Sequence, residues 1–504
     1  MNKSSERKFA VVLSYTNIIL KNLVVFLYTP FLLNYLGQAE YGIYQMTNSV
    51  IMGLSILSMG FSGSYVRFFM RYKTRKDEEG IRSLNGMYLL LFIGIAILSL
   101  FIGMVFVMNT KRIFGSAFTE EEVRITKTLM GILVFNIALT FPSSVFDCNI
   151  LAQEHLKFQQ SRQIAQTVLT PLVSIPLVLF GMGAVAVVGA QTITTLILMI
   201  INIKYAITQL GMRFNFRNIP LGLLKEVSIF SFFIFLSQVI DLANNNIPSF
   251  IVGAFLGAKD VAIYSVASQV KNLFFMLSVG LSGVFVPHIN EMVSRKVSKE
   301  KLLSLMIKVG RIQFILLTFI LGGFISVGEF FIQIWAGEAN MEAYYLVIIM
   351  ILPVLIPLSQ NVGIEIQRAM NRHYFRSIIY FIFAAINVAV TILAVMKYGV
   401  MGSTFGYVVS MICANGIAMN WYYQKKMGLD VMKFWKSLIN ILIPFVLSTG
   451  SILLIENFIT RINFPIFCIL GVLYSVIYFL LYYFTAASNL ELEHFSRIIK
   501  RTKR

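Results

Sequence analysis

Charge is scarce in this chain: Asp, Glu, Lys and Arg make up 13% of its 504 residues, about half the share of an ordinary soluble domain. With 57% of residues hydrophobic, there is too little polar surface to cover a soluble globule, so lipid has to be the solvent for much of the chain. Cysteine is nearly absent. Cys148, Cys413 and Cys468 are scattered through apolar stretches, which excludes a disulfide framework and a cysteine-based zinc site. The four histidines, His155, His288, His373 and His494, form no metal motif, so no metal centre is expected. Acidic residues number 23 against 42 basic ones, for a net charge of +19. That excess does not point to nucleic acid, because the basic residues sit in short clusters between apolar runs, where they report topology. There is no phosphate-cradling P-loop, so no cofactor is expected and ATP hydrolysis is not the source of power.

What the chain has is apolar length. A hydrocarbon core of about 30 Å takes about twenty apolar residues per helix. Such segments fall near 9–33, 41–65, 84–108, 124–147, 158–180, 184–207, 227–255, 261–287, 308–334, 343–366, 376–396, 401–423, 437–458 and 464–485. The fold class expected is therefore an all-α polytopic membrane protein with about fourteen transmembrane helices. The first run follows Lys3, Arg7 and Lys8 in the manner of a signal peptide. It is too long for one, holds Lys21 near its centre and lacks a small-residue cleavage site, so it reads as a retained first helix. The N-terminal tail and every second loop carry most of the basic residues, among them Arg71, Lys73, Arg213, Arg295, Lys299, Lys425 and Lys433. By the positive-inside rule both termini then face the cytoplasm. Loops on the other side are short. The longest, near 109–123, includes Glu120, Glu121 and Glu122 and is too small for a catalytic domain, so an enzyme is not expected.

Two stretches repeat at a spacing of 220 residues. LGQAEYGIYQMTNSV starts at Leu36 and LGAKDVAIYSVASQV at Leu256; Leu36, Gly37, Ile43 and Tyr44 recur as Leu256, Gly257, Ile263 and Tyr264. A weaker set follows, in which Ala152, Phe158, Gly183 and Gly189 correspond to Ala369, Phe375, Gly399 and Gly406. The spacing covers six helices, an even number, so both copies cross the membrane in the same sense. The expected division is a six-helix lobe over 1–215, a second over 216–430, and two extra helices with a basic tail over 431–504. That tail, after Leu490, reads as a topology anchor or a short amphipathic helix on anionic lipid.

With its Asn-containing first helix ending in Pro30, the Leu36-Gly37-x3-Tyr41-Gly42-x-Tyr44 motif, fourteen helices and a six-plus-six repeat, the chain resembles the polysaccharide flippases of the multidrug/oligosaccharidyl-lipid/polysaccharide exporter superfamily. The resemblance covers essentially the whole chain in topology and marks the superfamily better than the substrate. It implies a multi-pass protein of the bacterial cytoplasmic (inner) membrane. Such a protein flips undecaprenyl-diphosphate-linked oligosaccharide outward for O-antigen, capsule or exopolysaccharide assembly, alongside polymerase and chain-length machinery. It also implies that the first, second, seventh and eighth helices line a central cavity. A multidrug and toxin extrusion antiporter or a lipid II flippase of the same superfamily are the nearest alternatives. A membrane polysaccharide polymerase is a more distant one, disfavoured by the short loops.

Three ionisable residues fall near helix midpoints, Lys21, Asp241 and Lys271, at an insertion cost of about 2.5–3.5 kcal/mol each. Lys21 and Lys271, with Asn48, Gln269 and Asn272, are the candidate substrate-binding set: ammonium groups in a low-dielectric cleft attract a lipid diphosphate. The competing reading is a fixed Lys271–Asp241 ion pair. Asp241, with Asn244 and Asn245 ahead of a break at Pro248, is the candidate Na⁺ or H⁺ coupling site; a plain salt bridge or hydrogen-bonded kink competes with it. Asp147, Glu365 and Arg368 are the candidate gate, a set of cytoplasmic ion pairs that breaks as the lobes rock; ordinary interfacial charge is the alternative.

Overall fold

The computed structural model describes residues 3–217, 221–459, 461–488 and 491. The basic tail after Leu490, apart from Glu491, lies outside the described residues. Among those described, every regular element is a helix. The first, α1 (Lys3–Thr74), is two helices merged across a kink at Gly37, where φ is 76° and ψ 168°. At 1.5 Å per residue each limb runs about 50 Å, enough to cross a bilayer core. Next come α2 (Glu78–Met108), the short α3 (Thr110–Phe114), α4 (Glu120–Ala152), α5 (Leu156–Leu179) and α6 (Gly183–Thr208). After them α7 (Leu221–Asn245), α8 (Ile247–Phe255), α9 (Ala258–Gly283), α10 (Val286–Ser294) and the 38-residue α11 (Lys299–Ala336) follow. The chain continues through α12 (Ala343–Ser359), α13 (Asn361–Ala369), α14 (Tyr374–Gly402) and α15 (Phe405–Ser410). Two π-helical stretches, Met411–Met419 and Tyr423–Met427, flank the short α16 (Asn420–Tyr422), and α17 (Val431–Ile439), α18 (Leu442–Glu456) and α19 (Phe464–Thr485) close the fold.

Eleven of these helices are long and apolar enough to span a membrane, or twelve if α9 and α10, bent by 45°, make one span. The chain is a multi-pass helical membrane protein. The sequence expectation of fourteen is not reached by that measure; with α9 and α10 counted as one span, two features account for the remaining difference. Helix α1 counts once although Gly37 breaks it, and the stretch 405–427 is divided among short α and π turns.

Residue contacts divide the chain into two compact units. The first comprises Met1–Ser265 and Val395–Ser403. Its helices approach closely where side chains are smallest: a Cβ at Gly42 would sit 1.8 Å from the Ala258 carbonyl oxygen, and one at Gly60 2.5 Å from that of Ser231. Without a hydrophobic drive between helices in lipid, such backbone approach and inter-helix hydrogen bonds hold the bundle. The hydroxyl of Ser64 bonds Tyr88 at 2.7 Å, Tyr65 donates to Asn85 at 2.6 Å, and Asn149 donates to Tyr65 at 2.9 Å. Glu40, just past the α1 kink, accepts from the Ala184 amide at 2.7 Å and so caps α6. Gly183, with φ at +59°, leaves the room: a Cβ there would lie 2.3 Å from the carboxylate. Alanine at position 40 is expected to cost about 1 kcal/mol through loss of this cap. A lower Tm in detergent measures it; an unchanged Tm would show that the cap carries no stability.

The second unit comprises Val266–Ala394 and Thr404–Arg504. Here α11 packs with α12, α18 and α19. Tyr474 and Tyr478 of α19 donate to α11 carbonyls of Phe319 and Ile315 at 2.8 and 3.0 Å. Gly322 makes room, since a Cβ there would lie 2.2 Å from the Tyr474 hydroxyl. At the lysine-rich end of α11, Arg311 is 9% exposed. Its guanidinium grips Glu491 through two bonds of 3.1 and 2.9 Å and also donates to the carbonyls of Ser437 and Ala486.

The backbone carries the repeat more clearly than the side chains do. Positive φ occurs at Gly37 and Gly257, Lys76 and Lys296, Glu154 and Asn371, Gly183 and Gly399, and Gly211 and Gly428. Each pair is separated by the same spacing as the sequence repeat, to within a few residues. Lys76, Glu154 and Lys296 end helices in the left-handed conformation that normally favours glycine.

Candidate functional site

Within the first unit, the charged midpoint residue Lys21 lies on the first limb of α1 and is exposed. Asn17 and Tyr28 fall on nearly the same side of that helix, by the 100° step per residue. Both bond α5: Asn17 donates to Gln163 at 2.9 Å, and the Tyr28 hydroxyl meets that of Ser174. Sequence reading missed α5 as a site element. Gln160, Gln163 and Thr167 recur there at three- and four-residue steps, the signal that would have marked an amide-bearing face. The amide oxygens of Asn17 and Gln160 are buried and accept no hydrogen bond among the described residues. An ammonium can hold a phosphate by donating to it, and amide oxygens of this kind can accept hydrogen bonds from sugar hydroxyls.

The second limb of α1 is polar in composition but largely self-satisfied. Asn48, half-buried, donates to the Tyr44 carbonyl at 3.1 Å, and Thr47, Ser49, Ser55 and Ser58 bond carbonyls three or four residues back. Such back-bonding is the ordinary way a hydroxyl lives inside a lipid-embedded helix. Facing this limb, the α7–α8 break falls at Asn246, one turn after Asp241, and Pro248 sits buried in the first turn of α8. Proline costs least there, because its missing N–H would have no intrahelical acceptor. Asp241 and Asn245 are exposed and Asn244 is half-buried. The Asn244 and Asn245 amides donate to the carbonyls of Ile240 and Asp241 at 3.0 and 3.1 Å. Between the limb and the break lies a cavity of about 440 Å³, lined among others by Ser49, Gly53, Phe106, Leu242, Asn246 and Phe250. Its walls are apolar, with only Ser49 and Asn246 offering polar groups, so it suits a hydrocarbon chain better than a sugar.

In the second unit, Lys271 is 1% exposed, with its ammonium 4.6 Å from the centre of the Tyr407 ring. A desolvated ammonium on an aromatic face is a stabilising cation–π contact. In this conformation Lys271 is closed off, where the sequence pointed to a cationic floor open to ligand. On the same helix Gln269 is half-buried and Asn272 exposed. The substrate-binding set read from sequence is thus divided, with Lys21 and Asn48 in one unit and Gln269, Lys271 and Asn272 in the other.

The gate residues are paired inside their own units. Asp147 meets Arg162 at 3.2 Å and accepts from Asn202, tying α4 to α5 and α6. Glu365 meets Arg368 at 2.6 Å one turn along α13, with the arginine largely exposed. Arg372 donates to the Lys426 carbonyl at 2.7 Å.

Residues 9–293 match the family of polysaccharide biosynthesis proteins. No curated protein sequence matches the chain. Among solved structures, a lipid II flippase, MurJ, in an inward closed conformation superposes with a TM-score of 0.71 at 14% identity, covering 94% of this chain and 97% of its own. An inward-facing multidrug resistance transporter of the MATE family superposes at 0.65 and 15% identity, over 83% and 98% of the two chains. A MATE structure in a straight conformation superposes at 0.53 and 15% identity, over 83% and 96%. At these identities the likeness is one of fold.

Proposed function

Since this chain belongs to the polysaccharide biosynthesis protein family, we propose that it is an alternating-access flippase, moving undecaprenyl-diphosphate-linked oligosaccharide outward across the bacterial cytoplasmic membrane. The observation that carries this reading is Lys21, exposed within a membrane-spanning limb on which Asn17, one turn away, donates to Gln163 of α5. The ammonium holds the diphosphate by charge, and Asn17, Gln160 and Gln163 present amides to sugar hydroxyls. The apolar cavity at the α7–α8 break offers room for carrier hydrocarbon. We count fourteen spans by taking α1 as two, α9 with α10 as one and 405–427 as one, which places both termini in the cytoplasm. The repeated lobes, 1–215 and 216–430, rock about this path. Gln269, Lys271 and Asn272 are the substrate-binding residues of the second lobe, and Asn48 is one of those of the first. Asp241, Asn244 and Asn245 bind a coupling Na⁺ or H⁺ in one state only, and the pairs at Asp147 and at Glu365–Arg368 rearrange at the gate. The protein does no covalent chemistry and works with polymerase and chain-length machinery.

Deleting the protein is expected to leave lipid-linked oligosaccharide on the cytoplasmic face and to deplete surface glycan. Surface glycan at normal levels, in a strain without a redundant transporter, would refute the proposal. The superposition on a lipid II flippase favours a second reading, in which the cargo is lipid-linked peptidoglycan precursor. Deletion would then arrest wall synthesis while surface polysaccharide continued to leave. A cationic drug as cargo fits less well, because both charged residues of the proposed substrate-binding set, Lys21 and Lys271, are lysines.

A further inference from the structure

At the lysine-rich end of the second unit two helices begin side by side. Ser298 precedes α11, and Asp430 caps α17 by accepting from the Lys433 amide at 3.0 Å. Between them lies a cavity of about 320 Å³, lined by Lys299, Glu300, Leu303, Ser304, Asp430 and Lys433 together with Ile307 and Gly428. Neither Lys299 nor Lys433 makes an ion pair among the described residues. Gly428 shapes the floor: its φ is +70°, and a Cβ there would lie 2.6 Å from the Lys299 ammonium. The wall changes character along α11. Lys299 and Glu300 stand at the start, and Leu303 and Ile307 follow one and two turns on, in the direction of the membrane-spanning part. Helix α17 is amphipathic, burying Val431, Phe434 and Leu438. Met432, Lys433, Lys436 and Ile439 are left exposed. A short helix of that pattern belongs in the bilayer interface.

We propose that this cavity holds the headgroup of a zwitterionic aminophospholipid, with its phosphate between Lys299 and Lys433 and its ammonium toward Glu300. Two cations alone would fit any phosphate. The carboxylates of Glu300 and Asp430 in the same wall repel a purely anionic headgroup and attract a primary ammonium, which also has hydrogens to donate. Leu303 and Ile307 then carry the first acyl carbons toward the hydrocarbon region. None of its lining residues belongs to the sets assigned above to cargo, coupling ion or gate, so the proposal does not depend on the cargo.

The test is native mass spectrometry of the full-length protein, with lipids titrated in from detergent micelles. Phosphatidylethanolamine is expected to bind about tenfold more tightly than phosphatidylcholine, whose quaternary ammonium has no hydrogen to donate. Lys299→Gln with Lys433→Gln should remove that preference, and Glu300→Gln should let phosphatidylglycerol compete. Lys436→Gln, on the same helix but outside the cavity, should leave binding unchanged. Equal binding of the two zwitterionic lipids would overturn the proposal, as would an unaltered double variant or an equal loss in Lys436→Gln. Inorganic phosphate that saturates the lysines while no lipid is retained would also overturn it, in favour of a soluble phosphate site.

Discussion

Alanine in place of Lys21 is expected to lower flipping of a lipid diphosphate by about tenfold to a hundredfold. A hydrogen bond to a charged partner is worth about 1.5–3 kcal/mol, and each 1.4 kcal/mol is about a factor of ten. The residue is exposed within the first limb of α1, so its loss leaves no buried hole, and folding should be nearly unaffected. Lys21→Arg keeps the charge and should keep most of the rate. The measurement is movement of a short-chain polyprenyl-diphosphate sugar across proteoliposome membranes, with Tm recorded for each variant. A K21A protein that transports like the wild type would remove Lys21 from the path, even if the protein remained a flippase.

Breaking the Arg311–Glu491 clasp is expected to be the most destabilising polar change in the second unit. The two side chains are 11% and 24% exposed and joined in bidentate fashion. Glu491 also accepts from the Tyr482 hydroxyl at 2.8 Å and the Ser488 amide at 2.7 Å. Removing one partner of a buried pair strands the other, at a cost of about 3 kcal/mol. Arg311→Ala should lose more than Glu491→Ala, because two carbonyls lose their donor as well. The pair also predicts a pH dependence. Burial pushes the Glu491 carboxyl up, but the Arg311 guanidinium, the Ser488 amide and hydroxyl and the Tyr482 hydroxyl together bring it down to about 2. A carboxyl whose folded pKa lies below its unfolded value contributes stability above the unfolded pKa and loses it as pH falls toward the folded one. The wild-type Tm should therefore fall between about pH 4.5 and about pH 2 more steeply than that of Glu491→Gln. Parallel Tm curves for the two proteins would remove the clasp as the cause.

The amide face of α5 was legible in principle and was overlooked. Its glutamines lie in a span whose average hydropathy is the lowest of the eleven, 1.2, and they stand at helical spacing. Lys271 shows the opposite case. Its charge at a helix midpoint was plain in the sequence, and nothing local foretold the Tyr407 ring, 136 residues further along the chain. The same holds for Asp147. Its charge was readable, while its bonding to Arg162 and Asn202 depends on how α4, α5 and α6 pack.

The repeat was readable at two of the three glycine pairs with positive φ, Gly37 with Gly257 and Gly183 with Gly399, because few other residues tolerate those backbone angles. It was invisible at Lys76 with Lys296 and at Glu154 with Asn371, where side chains of other kinds adopt the left-handed turn. The sequence by itself determined that the chain lives in lipid, that it is helical throughout its spans, and roughly where each span lies. Those follow from apolar length and from the need to satisfy backbone groups locally in a solvent that offers no hydrogen bonds. Only the tertiary structure decided which charges stay open and which are covered. Whether an ammonium faces a ligand or an aromatic ring depends on neighbours that are distant in the chain, and the free energy of a charge is set by those neighbours.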